Sequence, residues 1–232
     1  EIGVRLVGSE MCIRDSIGPQ EMNQRKKGAN MDIKQMSEKE KCQAGLLYDA
    51  NYNPELEAER NKCKDKCWLF NSCRPSDQEN RLHIMKEILG KTGSTFLIEQ
   101  PFRCDYGYNI EIGENFYANY GCVILDAAKV TFGDNVFIAP NCGFYTAGHP
   151  YSPDLRNRGL EYAKPITIGN NVWIGGNVTV LPGVTIGDNV IIGAGSVVTK
   201  DIPAGVAAVG NPCKVLREIT EEEMERERRS VQ

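Results

Sequence analysis

Hydrophobic residues recur at every sixth position over much of the C-terminal half of the chain. A period of six fits neither an α-helix nor a coiled coil, whose periods are about 3.6 and 3.5 residues. It predicts a mainly β fold, a triangular prism in which three six-residue segments make one coil and parallel strands stack about 4.8 Å apart. The predicted inward positions are Ile168, Ile174, Val180, Ile186, Ile192 and Val198, preceded by Ile112, Ala118 and Ile124 and, after a two-residue slip, by Phe132, Ile138 and Phe144.

A helical pattern precedes these repeats. Ser37 followed by Glu40 has the spacing of a capping box and predicts the start of a first helix. A second helix is predicted over residues 55–70 and a third from Pro75 to Leu89, ending at Gly90. The predicted apolar stripes are Cys42, Leu46 and Leu47 in the first helix, Leu56, Cys63, Cys67 and Phe70 in the second, and Leu82, Met85, Ile88 and Leu89 in the third.

These patterns divide the chain into four segments. Residues 1–30 contain a polar run and only short apolar stretches, and we interpret them as a non-native or disordered leader. We expect a small helical domain over residues 31–95, which buries too little surface to be stable without a larger partner. That partner is the β-helix domain predicted over residues 96–217. Residues 218–232 are dense in Glu and Arg and are interpreted as a charged C-terminal tail.

One interruption of the repeat is the strongest candidate for a functional segment. Residues 145–165 are polar and lack a period, and an excursion of this length inside a regular fold is usually functional. The excursion contains His149, one of only two histidines in the chain. Histidine is the most frequent general base at neutral pH, so His149 is the candidate catalytic residue. The other histidine, His83, is interpreted as a packing or surface residue.

Composition argues against several classes of protein. A net charge of -4 without a basic stripe argues against nucleic-acid binding, and no apolar run approaches the about 20 residues of a membrane span. The nine cysteines are scattered and odd in number, which is typical of reduced thiols in a cytoplasmic protein. Cys63, Cys67 and Cys73 lack the paired spacing of a zinc site, and two histidines are too few for a three-histidine zinc centre. We therefore predict no metal site and leave the role of these three cysteines open.

Seven short motifs resemble those of the maltose and galactoside O-acetyltransferases, over about Ser37 to Arg217. The motifs are AGLLYD (44–49), FRCDYGYN (102–109), NFYAN (115–119), TAGHP (146–150), ITIGNNVWIGG (166–176), GAGSVVTKD (193–201) and GNPCKVLR (210–217). The resemblance implies the left-handed form of the parallel β-helix. It also implies acetyl-CoA as co-substrate and a homotrimer whose active sites lie between neighbouring subunits.

The resemblance further implies roles for individual residues. His149 matches the catalytic base that takes the proton of an acceptor hydroxyl. Asn119 matches the residue that binds the thioester end and stabilises the tetrahedral oxyanion. Asp105 and Asp126 match the acceptor pocket, with Asp49 as a further acidic candidate, and Asp105 favours the maltose branch because the galactoside enzymes have serine there. The residues that match the coenzyme groove are Asn119, Trp173, Gly176, Ala194, Thr199, Lys200, Lys214 and Arg217.

Several of these positions also have a simpler structural interpretation. Asn119 and Asn171 could be turn residues, Lys200 a solvated charge, and Gly176 a requirement of local geometry. The leading prediction is an enzyme that moves an acetyl group from acetyl-CoA to a hydroxyl of maltose, glucose or a related sugar. The alternatives are an acetyltransferase for a non-sugar hydroxyl, such as a drug or an amino acid, and a non-catalytic hexapeptide scaffold that does not need His149.

Overall fold

The architecture is that of a computed structural model, which describes residues 33–231. The leader predicted over residues 1–30 lies outside the described residues. The chain divides into two compact units, and of the first only residues 33–36 are described, with a 3-10 turn at Ile33–Gln35. All that follows concerns the second unit, which begins at Ser37. Among the described residues, no helix combines the length and apolar character that a bilayer crossing requires.

The helices of this unit are α1 (Glu38–Gln43), α2 (Pro54–Ser72), α3 (Gln78–Ile88), α4 (Pro153–Asn157) and α5 (Glu221–Arg229). The capping box predicted at Ser37 and Glu40 is confirmed, since each side chain bonds the backbone N–H of the other residue. The first predicted stripe was too long. Gly45 follows α1 with a left-handed φ of 70°, so the chain leaves the helix before Leu46 and Leu47.

The third predicted helix also differs from the structure. It begins at Gln78, with the Asp77 carboxylate as N-cap, and Pro75 lies outside it. Its buried face contains Arg81 rather than Leu82, which is only partly buried. The terminal nitrogens of Arg81 donate to the carbonyl oxygens of Pro75 and Ile98 and to Glu99, so most of this buried charge is satisfied, although Nε has no partner. Periodicity alone cannot identify a buried arginine of this kind.

Short strands make up most of the remaining chain. In order they are β1 (Tyr48–Asp49), β2 (Phe96–Ile98), β3 (Phe102–Cys104), β4 (Ile110–Glu111), β5 (Phe116–Ala118), β6 (Cys122–Leu125), β7 (Val130–Phe132), β8 (Phe137–Ile138), β9 (Gly143–Tyr145), β10 (Ala147–Gly148), β11 (Leu160–Ala163), β12 (Ile166–Ile168), β13 (Trp173–Ile174), β14 (Thr179–Val180), β15 (Thr185–Ile186), β16 (Ile191–Ile192), β17 (Val197–Val198), β18 (Val206–Val209) and β19 (Lys214–Glu218).

Three parallel sheets form the faces of a prism, as the six-residue repeat predicts. Face 1 contains β4, β7, β12 and β15; face 2 contains β2, β5, β8, β13, β16 and β18, closed by the antiparallel β19; and face 3 contains β3, β6, β9, β14 and β17. Ile168 pairs with Ile186 and Ile174 with Ile192, so one coil of this region takes eighteen residues. Each predicted inward residue is buried, and together they form one continuous core. The predicted parallel β-helix with an N-terminal helical region is confirmed.

Departures from the repeat concentrate at one corner, where the chain passes from face 3 to face 1. We call this the irregular corner. The passage from one inward residue to the next takes eight residues from Ile124 to Phe132, and 24 from Phe144 to Ile168. At the other two corners of the same coils the spacing is six. The two-residue slip in the sequence and the long excursion therefore widen the same edge of the prism.

The excursion is more ordered than an aperiodic loop. Its strands β10 and β11 form an antiparallel pair, and β11 also pairs with β1 from the helical region. At its base, Thr146 is fully buried, and its hydroxyl donates to the carbonyl oxygen of Leu125. The three-stranded sheet β1-β11-β10 thus joins the helical region to the irregular corner.

The corner between faces 1 and 2 carries a ladder of asparagines. Asn115, Asn135, Asn171 and Asn189 all have φ between 54° and 56°, and each side chain bonds the next at 3.1 Å. Asparagine tolerates this left-handed conformation better than other residues with a Cβ. The interpretation of Asn171 as a turn residue fits this ladder. Asn119 lies at a different corner and is not among the residues with positive φ.

Helix α2 covers the open edge of the prism. The edge strand of face 3 is β3, and the Asn71 amide replaces its missing neighbour by accepting from the N–H of Phe102 and donating to its carbonyl oxygen, both at 2.8 Å. An unpaired sheet edge invites aggregation, so such a cover stabilises the first coil. The buried stripe predicted for α2 is confirmed.

Candidate active site

His149 projects from the turn after β10 of the excursion, with 49% of its side chain exposed. Its Nδ1 atom lies 3.2 Å from the carbonyl oxygen of Leu160. Because a carbonyl can only accept, this contact assigns the ring proton to Nδ1 and leaves a lone pair on Nε2. The ring is therefore held in one tautomer while its basic nitrogen remains free to accept a proton.

Glu161 is a residue of this site that the sequence reasoning missed. Its Oε1 atom lies 3.8 Å from Nε2 of His149, close enough to stabilise the imidazolium after protonation. The carboxylate is held from two sides, by the Tyr48 hydroxyl at 3.4 Å and by Nδ2 of Asn51 at 3.3 Å. The available signal was an acidic residue beside an aromatic one in the excursion, but the pairing of β11 with β1 was not predictable from it.

Asp49 is close to this histidine in the sheet. It lies opposite Leu160 in the β1–β11 pairing, and Leu160 supplies the oxygen that contacts His149. The Oδ1 atom of Asp49 accepts from the N–H groups of Asn51 and Tyr52, which fixes the turn after β1. One oxygen of this carboxylate is therefore structural, and Oδ2 is the one that can face a ligand.

Asp105 and Asp126 lie in successive coils at the irregular corner. Asp126 is fully buried; its Oδ1 accepts from the N–H groups of Asp105 and Tyr106, whereas Oδ2 has no partner. Burial raises the pKa of Asp126 to about 6, against the lowering effect of these hydrogen bonds. Burial also raises the pKa of Asp105, which the charges of Arg60 and Lys64 oppose. Asp105 is partly exposed and suited to hydrogen bonding with a polar ligand at the widened corner, whereas Asp126 lies beneath it, closed off from solvent.

Asn119 follows β5, at the corner between faces 2 and 3, which we call the 2–3 corner. Its N–H donates to the carbonyl oxygen of Ile138, and its Oδ1 accepts from the N–H of Tyr120 at 2.8 Å. Since Oδ1 is occupied as an acceptor, Nδ2 is the atom that can donate to a ligand oxygen. An N–H donor fixed in this way is the group that an oxyanion requires.

Gly176 and Ala194 lie at the same 2–3 corner in later coils. Successive coils are joined there by backbone hydrogen bonds. The N–H of Asn177 donates to the carbonyl oxygen of Pro140, and the N–H of Gly195 donates to the carbonyl oxygen of Gly176. A Cβ added at Gly176 would come no closer than 3.4 Å to the chain, to the carbonyl oxygen of Pro140. The fold itself therefore does not demand glycine at position 176.

Five further candidates lie on or after face 2 and face 3. Trp173 is exposed on β13 and lies in register with Ile191, Ala207 and Arg217, about 14 Å from Arg217 by three strand spacings. The Arg217 guanidinium donates to Glu223 of α5 at 2.6 Å, so the predicted tail contacts one residue of the predicted coenzyme groove. Lys214 is exposed on β19. Thr199 and Lys200 follow β17 at the irregular corner, and Lys200 is exposed.

Two corners therefore hold most of the predicted site residues. Asp105, Asp126, Thr199, Lys200 and the His149 excursion share the irregular corner, whereas Asn119, Gly176 and Ala194 share the 2–3 corner. Face 3 lies between these corners and is about 10 Å wide at β9, a strand of three residues. One chain therefore presents the candidate base and the candidate oxyanion donor from opposite edges of a face.

The cysteine cluster differs from the one considered in the sequence. The Sγ atoms of Cys63 and Cys67 approach that of Cys104, whereas Cys73 lies apart and its Sγ contacts the carbonyl oxygen of Leu69. Cys104 is some forty residues away in the chain and joins the cluster because β3 packs against α2. Sequence spacing could not reveal this neighbour.

Comparison with known proteins gives consistent matches over both regions. Residues 41–93 match the family model for the maltose acetyltransferase hexapeptide capping motif, and residues 165–200 match that for the bacterial transferase hexapeptide. The crystal structure of a maltose O-acetyltransferase from Clostridium difficile 630 is 54% identical, with a TM-score of 0.78, covering 80% of this chain and 99% of that one.

Two further proteins extend this similarity. A galactoside acetyltransferase in complex with coenzyme A is 47% identical, with a TM-score of 0.79, over 82% of this chain and 94% of that one. A candidate acetyltransferase from Saccharomyces cerevisiae is 56% identical over 179 residues, or 77% of this chain and 91% of the relative.

Proposed function

Since the chain belongs to the maltose and galactoside O-acetyltransferase family and is an acetyltransferase, we propose that it acetylates a sugar hydroxyl with His149 as general base. The donor is acetyl-CoA and the acceptor is maltose, glucose or a related sugar. The observation that carries the proposal is the fixed tautomer of His149, with Nδ1 on the Leu160 carbonyl and Nε2 facing the Glu161 carboxylate.

The reaction is a direct transfer. Nε2 of His149 removes the proton of the acceptor hydroxyl while the oxygen of that hydroxyl attacks the thioester carbonyl carbon. The developing oxyanion accepts from Nδ2 of Asn119, and the C–S bond then breaks. The imidazolium returns its proton to the departing thiolate, so the products are one ester and free coenzyme A. Glu161 stabilises the charged imidazolium between these two proton transfers.

The acceptor pocket lies at the irregular corner. Asp105, Asp126 and Asp49 supply carboxylate oxygens that accept from sugar hydroxyls, and Oδ2 of Asp126 is an unpartnered acceptor in an otherwise buried position. Because this oxygen is shielded from solvent, a sugar hydroxyl reaches it only if the corner opens on binding, whereas Asp105 is partly exposed as the corner stands. A hydroxyl-rich sugar matches this donor requirement better than an apolar acceptor does.

The coenzyme lies along the 2–3 corner and face 2 in this proposal. The free space at Gly176 and the neighbouring Ala194 accommodate the pantetheine arm, with Trp173 beside it. Lys214 and Arg217 on β19 are proposed contacts to the nucleotide and its phosphates, since cationic side chains bind phosphate oxygens strongly. Thr199 and Lys200 lie at the irregular corner, so in this proposal they contact the coenzyme from a neighbouring copy. For Arg217 this requires its ion pair with Glu223 to be shared or broken.

We also propose that the enzyme is a homotrimer with active sites between subunits. His149 and Asn119 lie at opposite edges of face 3, so the corner of a second copy is needed to complete the site. Face 2 presents Leu97, Phe137 and Trp173 to solvent, three large apolar side chains suited to burial against a partner or a ligand.

The test is coenzyme A thiol release with maltose, glucose, galactosides, chloramphenicol and serine as acceptors. We expect turnover with a sugar, and His149→Ala should lower kcat by about 10²- to 10⁴-fold. His83→Ala is the matched control, because His83 is exposed on α3 beside Glu87 and should leave kcat unchanged. Turnover that survives in His149→Ala would contradict the mechanism. Turnover with chloramphenicol or serine but no sugar would contradict the acceptor.

A further inference from the structure

Three cysteine thiols meet between the helical region and the first coil of the prism. Cys63 and Cys67 lie one turn apart on the buried face of α2, and Cys104 ends β3. The Sγ atom of Cys104 is 3.5 Å from that of Cys63 and 3.7 Å from that of Cys67, and all three sulfur atoms lie within 4.8 Å of one another. Among the described residues, no other three ligand atoms of His, Cys, Asp or Glu converge in this way.

These distances fit the coordination of one metal ion. A metal–sulfur bond of about 2.3 Å places neighbouring sulfur atoms about 3.8 Å apart in tetrahedral geometry and about 4.0 Å apart in trigonal geometry. The two observed separations of 3.5 Å and 3.7 Å lie within about 0.5 Å of these values, so an ion would need to move these sulfur atoms only slightly apart. A disulfide would instead need a separation of about 2.05 Å, and it could use only two of the three thiols.

The cluster is also held rigidly. The Asn71 amide ties α2 to β3 through the backbone of Phe102, two residues from Cys104. One positive charge, that of Arg103, favours the thiolate of Cys67, whereas the carboxylate of Asp126 acts against the thiolate of Cys63. A metal site here therefore depends on the positions of the three sulfur atoms and not on the surrounding charge.

We propose that Cys63, Cys67 and Cys104 bind one thiophilic d10 cation, Zn²⁺ or Cu⁺, at the junction of α2 and β3. Thiolate ligands select such soft ions over Mg²⁺ or Ca²⁺. The ion clamps the helical region to the edge strand of face 3 and takes no part in acetyl transfer. Cu⁺ accepts three sulfur ligands alone, whereas Zn²⁺ would need a fourth ligand, such as a water molecule.

The experiment titrates the reduced, chelator-treated full chain with Cd²⁺ and follows the ultraviolet thiolate-to-metal charge-transfer band. Because the thiols are buried, Cd²⁺ is added both to folded protein and during refolding. We expect saturation at one equivalent per chain and a rise in Tm of about 5 °C or more at 100 times Kd. Competition with Zn²⁺ and with Cu⁺ then identifies the ion that displaces Cd²⁺ at the lower concentration.

Matched alanine variants assign the ligands. Cys63→Ala, Cys67→Ala and Cys104→Ala should each weaken binding at least about 10-fold. Cys73→Ala, close in sequence but outside the cluster, and Cys122→Ala, buried in the core, should leave binding unchanged. Absence of the band, or its loss in Cys73→Ala, would overturn the proposal.

A second measurement avoids variants that fail to fold. Because the three thiols are buried, the wild-type chain is alkylated in a denaturant concentration at which Cys63, Cys67 and Cys104 react in the metal-free protein. Added Cd²⁺, read by peptide mass spectrometry, should then protect these three cysteines together while Cys73 reacts in both samples. Equal alkylation of the three cysteines in both samples would overturn the site even if some Cd²⁺ binds elsewhere.

Discussion

The regular corners of the prism and its irregular corner use the chain in different ways. At the regular corners, each coil repeats the same six-residue spacing, with asparagines or glycines in the turns, and successive coils bond to one another through the backbone. At the irregular corner the spacing grows to eight and then to 24 residues, and the added residues include Asp126 and His149. The repeated positions therefore build the fold, and the insertions at one edge carry the proposed chemistry.

The difference also appears in how polar groups are satisfied. Turn residues of the regular corners bond mainly to their own equivalents in the next coil, as the asparagine ladder does. At the irregular corner Asp126 keeps an unpartnered buried oxygen, and Glu161 is held by residues of a different region. Unsatisfied or specially held polar groups are typical of sites built for a ligand rather than for stability.

The largest expected effect is a loss of stability in the regular core. The Phe132 ring contacts those of Phe116 and Phe144 at centroid distances of 5.1 Å and 5.0 Å. Phe132→Ala should lower the free energy of unfolding by about 3–5 kcal/mol, because it leaves a cavity in a close-packed interior. Denaturant unfolding at one protein concentration measures this loss. Thr131→Ala, the outward neighbour on β7, should cost less than about 1 kcal/mol; equal losses in the two variants would contradict this account of the core.

The next effect is a loss of folding stability with rising pH, caused by the buried Asp126 at the irregular corner. The pKa of Asp126 is raised to about 6 in the folded chain from 3.8, so the folded state holds its proton longer than the unfolded state does. Stability should therefore fall as pH rises from about 4 to about 6 and then level off, by up to about 3 kcal/mol from this group.

The variant Asp126→Asn tests this pH-dependent loss of stability. The difference in unfolding free energy between wild type and variant, measured from pH 4 to pH 7, should move in favour of the variant as pH rises. A difference that does not change with pH would contradict the raised pKa. Sugar turnover of the same variant should fall, because its amide nitrogen cannot accept from an acceptor hydroxyl.

A smaller effect is expected when two adjacent glycines at the 2–3 corner are replaced by alanine, and the two replacements should have different consequences. A Cβ at Gly175 would lie 2.6 Å from the backbone nitrogen of Ala194, whereas one at Gly176 would reach only ordinary contact. Gly175→Ala should lower stability by about 1–3 kcal/mol through overpacking. Gly176→Ala should fold normally but raise KM for acetyl-CoA roughly 10-fold, or about 1.4 kcal/mol. The reverse pattern would place the coenzyme groove elsewhere.

The sequence predicts the repeated part of the fold because its signal is local and redundant. The spacing of Ile168, Ile174 and Val180 specifies inward positions without reference to any distant residue, and later coils repeat the same information. The capping box at Ser37 and Glu40 was equally readable, since both partners lie within one turn. His149 was identifiable because it lies in the longest break in that pattern.

The remaining features depend on contacts between segments with no shared period. Glu161 joins the candidate site only because β11 pairs with β1, more than one hundred residues earlier. Cys104 joins Cys63 and Cys67 because α2 packs on β3, and Arg81 is buried where the Ile98 carbonyl oxygen and Glu99 accept from its terminal nitrogen. A single sequence contains the residues that make these contacts, but it does not show which helices and strands lie next to one another in the fold.

The most direct test of the account is activity in mixed assemblies of two inactive variants. His149→Ala and Asn119→Ala chains, each purified alone, are unfolded together in equal amounts and refolded, and mixing is verified by mass spectrometry of the intact oligomer. If the base and the oxyanion donor come from neighbouring chains, about a quarter of the sites contain both wild-type residues, and about a quarter of wild-type turnover should return. Verified mixed assemblies with no more activity than the separate variants would show that both residues act from one chain and would contradict the shared site.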